Sequence, residues 1–154
     1  MTPASLQSLR TLLEHAEAER DTAASALRDA EAAAARHEAQ AGQLGDYRSQ
    51  FQARWTAQFR QPTAPSLLQC HHGFSQRLDQ AIVQQQAQCR QQAQRVQRAR
   101  DVLRQKEQRV AAVQKLIERR LTVQQRQAER RDQKQTDEAA QRTAWAKAAT
   151  ADLT

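Results

Sequence analysis

The chain has 154 residues, a net charge of +7 and only three glycines, three prolines and six aromatic residues. That length allows one domain, but so little glycine and so few β-branched or aromatic residues argue against a sheet, while Gln, Ala and Arg favour helix. No apolar run approaches the ~20 residues needed to cross a bilayer, and the amino terminus lacks the charged and apolar regions of a signal peptide, so a cytoplasmic protein is expected.

Residues 4–60 contain no proline, Pro62 and Pro65 fall in a short break, and no proline follows. This spacing predicts an all-α fold, a long antiparallel two-helix coiled-coil hairpin forming a single domain: helix 3–60, turn 61–65 and helix 66–148. Thr2 and Pro3 suit a helix start, as a hydroxyl acceptor followed by a residue whose missing N–H is harmless in the first turn.

The first helix carries a heptad seam, alternating steps of three and four: Leu6, Leu9, Leu13, Ala16, Arg20, Ala23, Leu27, Ala30, Ala34, His37, Ala41, Leu44, Arg48, Phe51 and Trp55. Its alanines allow close approach of a partner helix, whereas Arg20, His37 and Arg48 must reach the seam's edge or find partners. Gly42 and Gly45 each cost about 1 kcal/mol relative to alanine inside a helix and mark a soft place before Asp46 and Tyr47. An arm of about 57 residues rises roughly 85 Å, which predicts a thin rod.

The break is too short for anything but an antiparallel return, and Pro65 fits the first turn of the second helix. In that helix one seam row runs Ile82, Cys89, Val96, Leu103, Val110 and Ile117; its companion, Leu78, Gln85, Gln92, Ala99, Lys106, Val113 and Arg120, is far more polar. Eight glutamines between Gln84 and Gln97 keep this heptad and so read as helix. Pairing is expected to run to about Val123, leaving a basic overhang from about residue 124 whose weak apolar periodicity suggests fraying until it meets a partner.

Charge is unevenly shared. Residues 1–60 hold seven arginines and eight acids, residues 61–154 seventeen Lys or Arg and nine acids. The basic face between Arg90 and Lys134 should attract an acidic surface. Without a glycine-rich loop there is no phosphate cradle, and Asp137 and Glu138 are adjacent on a helix rather than facing, so no enzyme, catalytic residue or cofactor is expected. Cys70, His71 and His72 point about 100° apart in turn and do not converge on a metal. Cys70 and Cys89 lie about 28 Å apart along one helix, too far for a disulfide.

Two short stripes depart from a plain coil. Gln40, Leu44, Tyr47 and Phe51 rise with steps of four, three and four, and Phe74, Leu78, Ala81 and Gln85 repeat those steps across the turn. Folding at the turn sets Tyr47 and Phe51 near Leu78 and Phe74. The stripes either close the coil near its end, with Trp55 and Phe59, or form an apolar patch for a partner.

With Gln43, Leu44, Asp46, Tyr47 and Phe51, then Phe74, Leu78, Ala81 and Ile82, and finally RDQKQTDEAAQ at Arg131–Gln141, the chain resembles the FliJ family, small coiled-coil components of the bacterial flagellar type III export apparatus. The resemblance covers nearly the whole chain, and its last motif is not dictated by heptads. It implies a hairpin similar to the stalk of rotary ATPases, docked on the hexameric export ATPase and contacting the cytoplasmic domain of the export gate and the export chaperones. Carried over by position, the gate-binding residues are Gln40, Leu44, Tyr47, Phe51, Phe74, Leu78, Ala81 and Gln85. Arg130, Arg131 and Lys134 would face the ATPase. Phe51 and Gln85 replace a tyrosine and a histidine familiar there, which removes a hydroxyl and an imidazole and keeps the apolar patch. The implied location is peripheral, at the cytoplasmic face of the membrane at the flagellar base. A related injectisome stalk, a basic coiled-coil scaffold and a nucleic-acid-binding protein are the alternative readings; the last lacks aromatics beside its cations.

Overall fold

The computed structural model describes residues 5–153. Two helices account for almost all of them: α1, Leu6–Gln58, and α2, Pro65–Ala151. The expected all-α hairpin is what the structure shows, with no strand among the described residues. The start expected at Thr2 and Pro3 lies outside the described residues. Ser5 caps α1, its Oγ accepting from the Ser8 N–H at 3.1 Å, an amide that no preceding turn could reach, while its carbonyl accepts the first intrahelical bond from Leu9 N–H at 3.1 Å.

The turn is short and tied by its own groups. Gln61 N–H donates to the Gln58 carbonyl at 3.2 Å, and Thr63 Oγ1 donates to the Gln61 carbonyl at 3.0 Å. Proline at position 65 then opens α2, where a missing N–H leaves no bond unmade.

The chain divides into two compact units, one spanning residues 18–107 and containing the turn, the other made of residues 1–17 with 108–154. In the first, Ala23, Leu78 and Val96 are buried together with Gln92; in the second, Ala16, Val110 and Val113 are buried. No described side chain larger than these is wholly enclosed, as expected where only two helices meet and each seam residue keeps one side near water.

The heptad rows locate this cover. Every seam position of α1 except Arg48 is at least partly shielded, and so is every position of both α2 rows from Leu78 to Arg120. The polar interruptions are paired. Arg20 grips Asp21 through Nε and Nη2 at 3.2 and 3.0 Å, Arg48 reaches out to Asp79 at 3.2 Å, and Lys106 meets Glu19 at 3.2 Å. Gln85 Nε2 donates to the His37 carbonyl at 2.9 Å.

Cover ends sharply. From Leu121 to Leu153 every residue is exposed; of the four residues expected at the seam's end Ile117 is half-buried, while Leu116, Leu121 and Val123 are exposed. Yet α2 stays helical to Ala151. Pairs one turn apart replace the missing apolar contacts: Gln125 with Glu129, Gln133 with Asp137, and Arg142 with Glu138. Alanine-rich sequence around them adds intrinsic helix propensity.

Candidate functional site

An aromatic spine runs along α1 beside the turn. Tyr47, Phe51, Trp55 and Phe59 recur every four residues and therefore climb one face of the helix. Phe51 and Trp55 meet edge to face at 6.0 Å, and Trp55 and Phe59 tilt together at 5.3 Å. From α2, Phe74 enters between Tyr47 and Phe51, with ring centroids 6.3 and 4.7 Å away. Such offset and edge-on pairs are the arrangements that ring quadrupoles favour, each worth about 0.5–1.5 kcal/mol beyond burial.

His71 completes the cluster, stacked flat on Phe51 at 5.3 Å and lying 4.9 Å from Trp55 and 5.0 Å from Phe59. In the sequence this residue reads only as one of three metal-like neighbours, which hides its place in the cluster. The signal was available, since His71 lies one heptad before Leu78 and so continues that row of the α2 seam. His72 is exposed, and Cys70 and Cys89 are free thiols. Among the described residues no group of three His, Cys, Asp or Glu side chains could hold a metal ion.

The eight positions expected on the gate-facing surface are not equivalent. Tyr47, Phe51 and Phe74 share ring contacts, and Tyr47 leaves 48% of its surface in water. Gln40 and Gln85 are joined by a 3.4 Å hydrogen bond, and Leu44 and Gln85 line one groove with Ala41, Gly45 and Ile82. Ala81 is half-buried. Leu78 is only 8% exposed; it belongs to the core beneath this surface and offers a partner almost nothing.

The cluster presents a half-exposed tyrosine on an aromatic base, with an amide-edged apolar groove alongside. Preassembled rings of this kind lose little freedom on binding.

Arg130, Arg131 and Lys134 lie on the uncovered length of α2, all exposed and without an ion pair among the described residues. Arg130 and Lys134 are one turn apart and share a face, and Arg131, three residues before Lys134, borders it. Trp145, to which sequence reasoning gave no part, is 78% exposed and sits beside Glu138, Gln141 and Arg142. A lone tryptophan in an alanine-rich tail was its only mark. No described helix is long and apolar enough to cross a membrane.

Comparison with known proteins identifies the family. The family model for the flagellar FliJ protein matches residues 5–149. A flagellar FliJ protein of Salmonella typhi is 33% identical over 140 residues, an alignment that covers 91% of this chain and 95% of that protein.

Proposed function

The chain belongs to the flagellar FliJ family, components of the flagellar export apparatus, and from that premise we propose that it is a non-enzymatic coupler between the hexameric export ATPase and the cytoplasmic domain of the export gate. The observation that carries this reading is the presence of two uncovered surfaces of opposite character. Beside the turn, Tyr47 stands half in water on the Phe51–Phe74–His71 cluster; on the tail, Arg130, Arg131 and Lys134 stand unpaired on a helix with no cover. The aromatic surface suits the gate. The cationic helix suits an acidic channel in an ATPase ring, to which unpaired arginines are drawn at long range. Export chaperones are further partners in this reading, and these contacts would hold the protein peripherally at the cytoplasmic face of the membrane.

The two contacts separate experimentally. The double variant Tyr47→Ala, Phe74→Ala should weaken binding to the gate's cytoplasmic domain at least tenfold while helicity is kept, since hot-spot aromatics commonly carry 2 kcal/mol or more. Deleting residues 124–154 should abolish stimulation of the ATPase and spare gate binding. Gate affinity unchanged in the double variant would remove the aromatic assignment. ATPase stimulation that survives the deletion would leave a chaperone adaptor as the better reading.

A further inference from the structure

The turn end carries cations and, between Asp46 and Asp79, no acid. Residues 48–78 contain Arg48, Arg54, Arg60 and Arg77, with His71 and His72, and no aspartate or glutamate, although the chain has seventeen acids elsewhere. Arg48 is drawn out to Asp79, just beyond this stretch, and Arg77 Nε donates to the Gly73 carbonyl. Arg54 and Arg60 are exposed and make no ion pair among the described residues.

Apolar side chains stand among these cations. Leu68 lies two heptads before Ile82 on the α2 seam and Leu67 one heptad before Phe74, while α1 has already ended at Gln58. Leu67 and Leu68 remain 43% and 45% exposed, and Phe59 37% exposed. Helix packing thus accounts for His71 and Phe74 and leaves nearly half of each leucine in water, in a stretch that carries only positive charge.

Interleaved arginines and exposed leucine and phenylalanine are what an anionic bilayer surface accepts: phosphates meet the guanidinium groups while short apolar side chains enter the headgroup–acyl boundary. We propose that the turn end of the hairpin binds an anionic lipid surface directly, with Phe59, Leu67 and Leu68 inserted and Arg54 and Arg60 at the phosphates. Nucleic acid would use the cations and leave the leucines unexplained. An acidic protein would use both, but full absence of carboxylates over thirty-one residues suits a uniformly negative plane better than a protein surface, where interfaces mix both signs. The contact is independent of the gate and ATPase, and its test contains neither.

The full chain carrying Trp145→Phe, so that Trp55 alone fluoresces, is mixed with vesicles of phosphatidylcholine or of phosphatidylcholine with about a third phosphatidylglycerol, a surface of the strength that attracts basic segments. Saturable co-sedimentation with the anionic vesicles, weak binding to the neutral ones, and quenching of Trp55 by lipids brominated near the headgroup are expected. Arg54→Gln with Arg60→Gln should weaken binding about thirtyfold, at about fivefold per cation. Leu67→Gln with Leu68→Gln should retain attraction at low salt and lose the quenching. All four positions are exposed, and circular dichroism checks that both variants stay helical. Indifference of the parent to vesicle charge, or both variants binding and quenching like the parent, overturns the proposal. So does failure to bind vesicles combined with Arg54- and Arg60-dependent binding of polyglutamate, which would assign the surface to an acidic protein.

Discussion

Gly42 and Gly45 lie well inside α1, and the structure states what replacing them should do. Neither has a positive φ, and a Cβ built on either would meet nothing within 4 Å. An added methyl therefore meets no steric objection. What remains is backbone entropy: about 1 kcal/mol for each glycine changed to alanine in a helix interior. The double variant Gly42→Ala, Gly45→Ala should gain about 2 kcal/mol locally, equivalent to a roughly thirtyfold smaller opening constant. Hydrogen exchange of the amides from about residue 40 to 49 should slow by that factor, with far smaller changes near Val96 or Val110. Melting should rise by about 4–8 °C if the chain unfolds as one, at 2–4 °C per kcal/mol for this length. Exchange that is unchanged or faster would refute the reasoning, because it would mean the segment is not an ordinary helix in solution. Single variants add a functional reading. Gly45 lines the groove with Leu44 and Gln85, whereas Gly42 does not. If a partner seats in that groove, Gly45→Ala should weaken its binding and Gly42→Ala should not.

Two further changes probe the polar seam. Gln92 is 7% exposed and its Oε1 accepts no hydrogen bond, so Gln92→Leu should stabilise by about 1–2 kcal/mol in urea unfolding, and destabilisation would show a partner that the structure does not. The same change at Gln85, whose amide reaches the His37 carbonyl and Gln40, should be neutral or unfavourable. A double-mutant cycle on Glu19 and Lys106, whose side chains are 29% and 31% exposed, should give about 1 kcal/mol of coupling; Glu31 and Arg100, 47% and 54% exposed at 3.5 Å, should give less than about 0.5 kcal/mol. Equal coupling in the two pairs would contradict the role given to burial.

Heptad spacing and the two prolines made the hairpin legible, because periodicity records which face of a helix is turned inward. It does not record how deeply. Leu78 shares its stripe with Phe74, yet one is core and the other half-exposed, since depth depends on where the partner helix passes. The end of the seam was legible only to within a few residues for the same reason: Leu121 and Val123 keep the apolar type but have no neighbour. Order in the tail was hidden differently. Its helix rests on pairs such as Gln133 with Asp137 and on alanine propensity, which leave no apolar period to see. Within the candidate site, the contact of Tyr47 and Phe51 with Phe74 followed from counting back from the turn. His71 was lost because a histidine beside a cysteine and another histidine invites a metal reading before a packing one.

An alanine-rich seam says little about register. Small residues against a polar row pack almost equally well after a slip of seven residues, so away from the short turn and its ring contacts burial alone says little about register. The polar contacts between the helices supply what burial lacks. Gln85 with His37, Arg48 with Asp79, Lys106 with Glu19 and Arg100 with Glu31 all join α1 to α2 within residues 18–107. A slip of seven breaks all four at once. Individually they are weak, with exposed pairs worth at most about 1 kcal/mol each, but along the alanine-rich part of the seam apolar burial discriminates little, so they add to the turn and the ring contacts in excluding the slipped register. On this account the charged and amide positions of the seam are specificity devices: they help fix the register, and the register assembles the aromatic cluster on which Tyr47 is presented.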